Sequence, residues 1–572
     1  MKRTSIILLS LLALACSKPG TEGGGGGEPA SLTAPTNLQL KSATDNSLTF
    51  QWDPVQGATS YEWKLTLEGA AHKNGTATGR NTTVDGLTAG TGYGFSVCAK
   101  NASQTSAWST TLQASTTGKA PGPEDLAVCV DAPLVVEVGT GATLGTSGLI
   151  RVYKADGTLV DKIDMADMAK MTALSDGTLV PKEQMNQETT YHTFLDALHS
   201  TRYRPVHYTP VRLNGGKLEI KLHNEALTFG TSYYVTMDAS VAGKALAKDD
   251  MPFSTKVKPL GNTLKVAADG SGDFCTVQGA LSYASTLGKD TAVTIEVANG
   301  TYRELLYLRD KNKLTIKGQS RDKTIIAYPN NESYSTGSGA ATSTKPSLGN
   351  AVGAMGGRGL FLVESCDQLV LENLTIENTF FAADHKGQAE TLYFNADGKK
   401  LTIEKCSLIS WQDTFLCKGS VWVHNSLIAG HCDYIWGYPS ACLFEDCEIR
   451  SRAAGYIVQA RCAANSKGFV FLNCSLTAES GVADGCMYLA RSGGNSAEYD
   501  NVTYVNCSMS SVIAPKGWLE SPAPNPSTPT ASAGWKEYGT TGVSTAQRNA
   551  YGKILTADEA TAYSSRAAVL GW

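Results

Sequence analysis

The sequence predicts an all-β protein in which a right-handed parallel β-helix follows two smaller β-sandwich modules. The β-helix is predicted from a short apolar pattern that recurs through the C-terminal half. Its copies are LVLENLTI from Leu369, LTIEKCSL from Leu401, VWVHNSLI from Val421, CLFEDCEI from Cys442, FVFLNCSL from Phe469 and VTYVNCSM from Val502. They begin 32, 20, 21, 27 and 33 residues apart. Each copy alternates apolar and polar residues as a strand does, and such repetition without a helical pattern between copies is typical of a strand solenoid.

The first residues of the chain have the pattern of an export signal. Residues 1–16 combine a basic start, an apolar run and small residues at the end, and they are too few for a lasting membrane span. The motif ALAC that ends at Cys16 resembles a lipobox. We therefore predict a bacterial lipoprotein with an acylated Cys16; an ordinary signal peptide that ends near Ala15 is the alternative. The protein would be exported across the inner membrane and anchored in the outer membrane, on the cell surface or the periplasmic face. Residues 17–31 are rich in glycine and predict a flexible linker.

Two modules with strand patterns lie between the linker and the repeats. In residues 32–117, apolar and polar residues alternate, and VDGLTAGTGYGFSVCA resembles the signature of a fibronectin type III domain. We expect Trp52 and Tyr93 in its core, with sugar binding by their rings as the alternative. Residues 118–258 carry patterns such as GLIRVY and TSYYVTM and resemble bacterial Ig-like domains. We expect both modules to act as spacers or packing platforms, and residues 165–208 have no assigned structure.

Cysteines concentrate in the repeats, where 11 of the 14 lie between Cys275 and Cys507. Those that occupy the same place in their repeats are Cys406, Cys447, Cys474 and Cys507. We interpret them as a ladder of buried free thiols at equivalent inward positions. Disulfides in an oxidising envelope are the alternative. The spacing fits no tetrahedral zinc site, because the sequence has no CxxC pair.

Two aspartates recur at the interval of the coil. Asp413 and Asp433 are 20 residues apart, and the local repeats begin 20 and 21 residues apart. Gln388 lies 24 residues before Gln412, so it belongs to the coil before. We expect two carboxylates ~5 Å apart, the distance between adjacent strands, with two amides on the same outer face. Carboxylates this close do not ionise equally, which leaves a proton on one of them and suits a nucleophile beside a general acid/base.

Residues 262–572 resemble the pectin methylesterase family. The resemblance rests on motifs that follow the order of the family. WQDTF matches the family's QDTL, and CDYIWG resembles DFIFG. GQAETL resembles QAVAL, and LAR resembles the start of LGRPW. The other matching segments are DGSGDFCTVQGAL, GTYRE, IAPKGW and WKEYGTTG.

The resemblance implies a carboxylic ester hydrolase that uses water to remove methyl esters from galacturonate units of pectin and releases methanol. Asp433 matches the nucleophile that forms an acyl-enzyme, and Asp413 matches the acid/base. Gln412 and Gln388 match the donors that stabilise the oxyanion, and Arg491 matches the arginine that pairs with the nucleophile. Adjacent residues in a strand point to opposite faces, so we expect the backbone to bend at Gln412 and Asp413. The resemblance implies no metal and no organic cofactor.

The resemblance also indicates a substrate groove. We predict that Trp436 and Tyr302 bind substrate, with core packing as the alternative for Trp436. In the same GTYRE motif, Glu304 is expected to brace the first coils. Two departures from the family are evident: the proline and tryptophan of LGRPW are missing after Arg491, and Glu390 stands where QAVAL has an aliphatic residue.

Two other functions remain open from the residues. One is a β-helix pectin depolymerase of polygalacturonase or lyase type, since close carboxylates also suit a retaining glycosidase. The chain has no RIK element of the polygalacturonases and no clustered acids for a lyase calcium site. The other is a non-catalytic surface protein that binds glycans. A net charge of -4 argues against nucleic acid as a partner. Since a solenoid with its own groove needs no partner chain, we expect a monomer.

Overall fold

Strands are the main regular secondary structure of the computed structural model, which describes residues 31–572 apart from residues 45, 68, 89, 118–126, 183–189, 199–201, 336, 338–356 and 382–386. The predicted export signal and the acylation predicted at Cys16 lie outside the described residues. The chain divides between residues 125 and 126 into two compact units. Within the described ranges, no helix is long and apolar enough to cross a bilayer.

The first unit is a β-sandwich, as predicted. Its strands are β1 (Gln39–Ala43), β2 (Ser47–Gln51), β3 (Ser60–Leu67), β4 (Ala70–Ala77), β5 (Asn81–Asp85), β6 (Gly92–Lys100) and β7 (Leu112–Ser115). One sheet has the order β1-β2-β5 and the other β4-β3-β6-β7. Trp52 and Tyr93 are buried in the shared core, which confirms their predicted place. There the ring of Phe50 stacks on that of Phe95 at 3.9 Å.

The second unit begins with another sandwich. Its strands are β8 (Leu134–Glu137), β9 (Leu149–Lys154), β10 (Leu159–Asp164), β11 (Met171–Ala173), β12 (Leu179–Pro181), β13 (His192–Ala197), β14 (Arg202–His207), β15 (Val211–Asn214), β16 (Lys217–Ile220), β17 (Ser232–Met237) and β18 (Pro252–Ser254). Short 3-10 helices cover Met165–Lys170 and Ala239–Val241. Sheets of order β15-β16-β8 and β10-β9-β17-β18 share one core, in which Leu218 and Ile220 join Val152 and Val235.

Residues 165–208 include two hairpins, β11–β12 and β13–β14. The second hairpin packs on the first coils of the β-helix, where Val206 joins the core of that domain. Arg204 is fully buried and donates hydrogen bonds to the carbonyl oxygens of Leu306 at 2.5 Å and Leu360 at 3.1 Å. This module is therefore a packing platform for the β-helix and not a spacer.

The β-helix follows as one long, coiled and largely parallel sheet. Its strands are β19 (Thr263–Val266), β20 (Val293–Val297), β21 (Gly300–Tyr302), β22 (Leu306–Arg309), β23 (Leu314–Gly318), β24 (Thr324–Tyr328), β25 (Phe361–Glu364), β26 (Leu369–Glu372), β27 (Thr375–Asn378), β28 (Leu392–Asn395), β29 (Lys400–Glu404), β30 (Ser407–Ile409), β31 (Phe415–His424), β32 (Leu427–Glu445), β33 (Glu448–Ala460), β34 (Gly468–Leu472), β35 (Ser475–Ala478), β36 (Met487–Ala490), β37 (Val502–Val505), β38 (Ser508–Met509), β39 (Trp535–Tyr538) and β40 (Gly552–Ile554). The helices are α1 (Val277–Thr286), α2 (Ala557–Ala560) and α3 (Arg566–Leu570), with a 3-10 helix at Thr561–Tyr563.

The predicted repeats stack in register. Each repeat pairs in parallel with the next, first residue on first residue, in the order Leu369, Leu401, Val421, Cys442, Phe469 and Val502. Because side chains alternate along a strand, a slip of one residue would turn every apolar side chain outward. The apolar pattern therefore determines the register, and the extra residues of the longer intervals lie between the paired strands.

A turn and a thiol ladder follow these strands. The turn residue has a positive φ in repeat after repeat, at Asn373, Lys405, Asn425, Asp446, Asn473 and Asn506. Asparagine and aspartate tolerate this backbone better than other side chains do. The next residue points inward, and Cys406, Cys447, Cys474 and Cys507 are all buried and free. The predicted ladder of free thiols is confirmed.

The N-terminus of α1 is held from two domains. Thr276 is its N-cap. The Glu304 carboxylate accepts hydrogen bonds from the backbone N–H groups of Val277 at 2.8 Å and Gln278 at 2.9 Å. From the second sandwich, Asp131 accepts the N–H of Thr276 at 2.8 Å. Negative side chains favour the positive end of a helix, so Glu304 braces the first coils as predicted.

Candidate active site

Consecutive coils bring the predicted glutamines and aspartates together. Gln388 pairs with Gln412, and Gln412 pairs with Cys432 on the next coil, as parallel bridges. The backbone N–H of Asp413 donates to the carbonyl oxygen of Cys432 at 3.0 Å. Asp413 and Asp433 therefore follow paired positions on adjacent coils, as their spacing predicts.

Both aspartates have a left-handed backbone. The φ angle is 65° at Asp413 and 45° at Asp433, and each residue is 3% exposed. Residues other than glycine seldom adopt this region, and such strained positions cluster at functional sites. A left-handed residue interrupts the alternation of a regular strand. The backbone bend expected at Gln412 and Asp413 is therefore present.

Arg491 holds the carboxylate of Asp433. It follows β36, where its backbone N–H donates to the carbonyl oxygen of Val458 at 3.0 Å. Its Nε donates to Oδ1 of Asp433 at 2.8 Å and to Oδ2 at 2.9 Å, and its Nη2 also donates to Oδ2. Contact through two nitrogens fixes both the position and the orientation of a carboxylate. The structure thus brings Arg491 and Asp433 together as the sequence predicts.

Arg358, which no motif of the sequence indicated, lies among the acidic side chains of the site. Its Nη2 donates to Oδ2 of Asp413 at 3.1 Å, and its Nε donates to both carboxylate oxygens of Glu390 at 3.0 Å. Its Nη1 donates to Oε1 of Gln388 at 2.5 Å and to Oε2 of Glu332 at 2.9 Å. The Arg358 side chain is only 8% exposed. Among the described residues, it is thus a buried cation in direct contact with the predicted acid/base.

The two aspartates differ in their pKa. Burial raises the pKa of Asp413 well above its ordinary value, and the negative charges of Glu390 and Asp433 add to this against the opposing charge of Arg358. Burial raises the pKa of Glu390 to about 7 despite the same guanidinium. Burial also raises the pKa of Asp433, but the hydrogen bonds and the charge of Arg491 oppose it directly. Of the two aspartates, Asp413 is the one that favours the proton.

Trp436 lies beside the site and packs between arginines. The Arg461 guanidinium is 4.8 Å from the centre of the Trp436 ring, and that of Arg358 is 5.9 Å away. Arg461 is itself held by Gln459, whose Oε1 accepts from Nε at 3.0 Å and from Nη2 at 2.7 Å. Trp436 is 6% exposed, so part of its burial is core packing. Its stacking on a sugar ring stays a prediction.

The predicted role of Tyr302 in substrate binding needs correction. Tyr302 is 3% exposed and belongs to the core of the β-helix. Its hydroxyl donates to the carbonyl oxygen of Ala298 at 2.9 Å. It ends β21, which pairs with β24 in the first coils, whereas Asp413 and Asp433 lie several coils later. A motif identifies a residue without showing the direction of its side chain, and this tyrosine points inward.

A group of possible metal ligands lies away from this site, at the junction of the second sandwich and the β-helix. The ligand atoms of Cys129, Asp131 and Cys275 are within 4.8 Å of one another. One Asp131 oxygen already accepts the N–H of Cys275 at 2.9 Å. The Lys256 ammonium donates to the carbonyl oxygen of Gly272 at 2.7 Å, and the Cys129 thiol contacts the same oxygen. A cation beside this ammonium is disfavoured by charge, so we assign the group a structural role.

Comparison with known proteins matches two regions of the chain, the β-helix and the first sandwich, to two families. Residues 263–571, more than half of the chain, match the model of the pectinesterase family, and residues 33–115 match the fibronectin type III domain. Pectinesterase 31 of Arabidopsis thaliana is 31% identical over 263 residues, which are 45% of this chain and 76% of that protein. Probable pectinesterase A of Aspergillus oryzae is 31% identical over 293 residues, which are 49% of this chain and 83% of that protein.

Solved structures of similar proteins include the pectin methylesterase of Aspergillus niger, which is 26% identical. It matches 55% of this chain and 95% of its own, with a TM-score of 0.42. The pectin methylesterase of carrot is 23% identical and matches 55% of this chain and 95% of its own, with a TM-score of 0.44. By the match to the family model and the curated relatives, the chain belongs to the pectinesterase family and is a carboxylic ester hydrolase.

Proposed function

We propose that this chain removes methyl esters from the galacturonate units of pectin through an acyl-enzyme on Asp433. The observation that carries the proposal is the setting of Asp433, a buried carboxylate that Arg491 holds through two nitrogens on the coil next to Asp413. A carboxylate held in this way is fixed in place and favoured in its ionised form, as a nucleophile must be. The names of the relatives, pectinesterases and pectin methylesterases, support the choice of substrate.

In the first half of the proposed reaction, a carboxylate oxygen of Asp433 attacks the carbonyl carbon of the methyl ester. Negative charge develops on the carbonyl oxygen, and the NH₂ groups of Gln412 and Gln388 stabilise it. One such donor is worth about 3 kcal/mol of barrier. Asp413 gives its proton to the departing methoxy oxygen. Methanol leaves, and an anhydride remains between Asp433 and the sugar acid.

In the second half, Asp413 is ionised and acts as a base. It takes a proton from a water molecule while the water oxygen attacks the acyl carbon of the anhydride. The bond to Asp433 breaks, and its carboxylate is restored as the free sugar acid leaves. Asp413 carries its proton again, so each turnover consumes one water and one methyl ester and yields methanol and one demethylated galacturonate unit of the pectin chain.

The test is methanol release from highly methylated pectin by the wild-type chain and by Asp433→Ala. The proposal predicts methanol from the wild type and none above background from the variant. A matched control is Asp446→Ala, because Asp446 also has a left-handed backbone, with a φ of 53°, but its side chain is 48% exposed. This control should keep wild-type activity.

Other outcomes of the same assay identify the other functions. A wild-type chain that shortens the polymer or creates unsaturated ends, without methanol, is a depolymerase. A wild-type chain that binds pectin and yields neither product is a glycan-binding protein. Methanol release that persists in Asp433→Ala would assign the nucleophile elsewhere while leaving the esterase activity intact.

We further propose that acylated Cys16 anchors the protein in the outer membrane. The proposal is supported by the basic start, the apolar run and the ALAC motif of residues 1–16. Metabolic labelling with an alkyne fatty acid should mark the wild type and not Cys16→Ser, and only the wild type should fractionate with membranes. Digestion of intact cells with protease then separates the cell surface from the periplasmic face. Equal labelling of both forms would overturn the anchor.

A further inference from the structure

Arg358 connects the acidic side chains of the site with a glutamine, Gln388, through one group of hydrogen bonds. All three of its nitrogens are used: Nε contacts Glu390, Nη2 contacts Asp413, and Nη1 contacts Gln388 and Glu332. Glu390 is fully buried and Arg358 nearly so. A buried ion pair is tolerated when its hydrogen bonds are satisfied, and the planar fork of arginine reaches several acceptors at once. The ion pair of Arg358 and Glu390 is therefore a structural component of the active site.

The contact with Gln388 fixes the direction of its amide. Arginine has donors and no acceptor, so the atom of Gln388 that faces Arg358 is the amide oxygen. The NH₂ group is then turned away from Arg358, free to face an oxyanion. Gln412 is oriented in the same way, because the backbone N–H of Gly387 donates to its Oε1 at 3.3 Å. An amide turned the other way would present its oxygen to the oxyanion and repel it.

The contact with Glu390 balances the charge of Arg358. Among the residues that the structure describes, the charged and titratable groups that face Asp413 or Glu390 are Arg358, Glu332, Asp433, Arg461, Arg204, Cys432 and Tyr393. Glu332 is 39% exposed, so water screens its charge. If Glu390 were apolar, Arg358 would act on Asp413 with little opposition and stabilise its ionised form. The proton needed by the departing methoxy group would then be lost at a lower pH.

The second sandwich holds the backbone from which Arg358 extends. Arg204 on β14 donates through Nη2 to the carbonyl oxygen of Gly357 at 3.1 Å and also to that of Gly359. Asn330 of the β-helix donates to the same two oxygens, at 3.0 and 3.1 Å. These two peptide groups flank Arg358. A module outside the pectinesterase match therefore fixes the base of a side chain that reaches into the site.

We propose that Arg358 is a positioning residue for the ester hydrolysis, that Glu390 neutralises it so that Asp413 keeps its proton, and that Arg204 of the second sandwich fixes its backbone. This inference rests on the proposed function. It makes the preceding module a working part of the esterase, since the module determines where the guanidinium stands. It also explains why a carboxylate occupies a position at which the related motif has an aliphatic residue.

The first test is the pH dependence of kcat/KM in Glu390→Gln, which keeps a hydrogen-bond acceptor for Arg358 and removes the charge. The alkaline limb should move to lower pH by about one unit, because Asp413 gives up its proton more readily. The second variant is Arg358→Leu with Glu390→Leu, which removes both charges together, so that neither member of the pair is left unpaired in the interior. Its kcat should fall about 10- to 100-fold with little change in KM, because Gln388 and Asp413 lose their orientation.

The matched control is Glu537→Gln. Glu537 is 1% exposed and pairs with buried Arg548, whose Nε and Nη2 contact it at 2.9 and 3.2 Å. This variant should lower the melting temperature without moving the pH profile. A profile of Glu390→Gln that matches the wild type, or a double variant that keeps its kcat within threefold, would overturn the positioning role.

A readout that does not depend on turnover separates this inference from the proposed function. Infrared titration of the wild type, with the spectrum of Asp413→Asn subtracted, reports the protonation of Asp413. The same subtraction in the Glu390→Gln background should show Asp413 ionising at lower pH. If the wild type releases no methanol but this shift occurs, the proposed function fails and the charge balance stands. If methanol is released and the shift is absent, the charge balance fails alone.

The role of the second sandwich is tested with Arg204→Lys, which keeps the positive charge but cannot reach all of the carbonyl oxygens. We expect kcat to fall about 10-fold at a temperature where the variant is folded, since small displacements near reacting groups have large effects on rate. If this variant does not fold, Asn330→Leu removes two hydrogen bonds to the same carbonyl oxygens from within the β-helix. A folded Arg204→Lys variant with wild-type kcat would remove the sandwich from the mechanism. A folded Asn330→Leu variant with wild-type kcat would show that hydrogen bonds to these carbonyl oxygens, those of Arg204 included, do not determine the position of Arg358.

Discussion

Asp413 and Asp433 stand on adjacent coils in nearly the same setting, yet they take opposite parts in the proposed reaction. Both have a left-handed backbone, both are 3% exposed, and each accepts hydrogen bonds from an arginine. The difference lies in how each arginine is shared. Arg491 directs Nε and Nη2 to Asp433, whereas Arg358 offers Asp413 one nitrogen and gives its Nε to Glu390.

This difference shows that burial alone does not decide which carboxyl group holds a proton. Burial raises the pKa of both aspartates. Their pKa values differ because of the number of acidic side chains that share the same arginine. Two coils with similar backbones can thus present a fixed anion and a proton donor side by side, through the choice of a few neighbouring side chains.

A change of the alcohol in the ester should distinguish the roles of the two aspartates most strongly. Asp433→Asn should lose at least about 10⁴-fold in rate with every ester, because the nucleophile is gone. Asp413→Asn should lose about 10²- to 10⁴-fold with methyl esters, which is the usual contribution of a general acid. With trifluoroethyl esters of the same sugar it should lose far less, because that alcohol leaves without being protonated. The measurement is the alcohol released in the first turnover.

Two results would contradict this assignment. An equal loss with both esters in Asp413→Asn would show that Asp413 does not protonate the leaving group. A first-turnover release of alcohol by Asp433→Asn would show that the acyl group forms on another residue.

Removal of the arginine that serves Asp433 should have the next largest effect. In Arg491→Met, only the charge of Arg461 still opposes the rise that burial causes in the pKa of Asp433, so less of the nucleophile is ionised at neutral pH. We expect kcat/KM to fall about 10²- to 10³-fold at pH 7, and the acid limb of the profile to move to higher pH. The loss should shrink as pH rises, since Asp433 then ionises without help.

The control for Arg491→Met is Arg450→Met. Arg450 is an arginine of β33 that pairs with Glu448 at 2.9 Å and has a side chain that is 36% exposed. Its removal should leave the pH profile in place. If the loss in Arg491→Met were the same at every pH, Arg491 would act on the geometry of the site and not on the charge of Asp433.

The parts of the site that follow the coil could be predicted from spacing alone. A coil of fixed length determines which residues stack, so Gln388, Gln412 and the two aspartates came to adjacent rungs as predicted. Arg358 reaches the site from an earlier coil and belongs to no repeat or motif, so spacing had no bearing on it. The signal for it was Glu390, because a carboxylate in place of an aliphatic residue implies a buried cation nearby.

Contacts between domains were the other part that the sequence did not reveal. The hairpin β13–β14 has no clear periodicity, and the contacts of Arg204 are with backbone carbonyl groups, which exist at every position of a sequence. The predicted role of Tyr302 was wrong for a related reason, since resemblance to a motif carries no information on the direction of a side chain. Local patterns therefore predicted the coils, and non-local contacts decided how the site is supported.

The smallest expected effect is on stability, and it also separates the two aspartates. The pKa of Asp413 is raised in the folded chain, so the folded state holds this proton more tightly than the unfolded state does. As pH rises above about 4, the unfolded state ionises first and the free energy of unfolding falls, until Asp413 itself ionises. Each unit of raised pKa corresponds to about 1.4 kcal/mol.

Asp413→Asn removes this loss, because asparagine does not ionise. Its melting temperature should match that of the wild type near pH 4 and exceed it at pH 8, by about 1–2 °C for each kcal/mol in a domain of this size. Asp433→Asn should gain less at pH 8, because it leaves Arg491, 28% exposed, without its carboxylate partner. The measurement is the melting temperature of the wild type and of both variants at pH 4, 6 and 8. An equal gain in the two variants would show that Arg358 and Arg491 oppose burial to the same degree, and the sharing of Arg358 with Glu390 would then not explain the different roles.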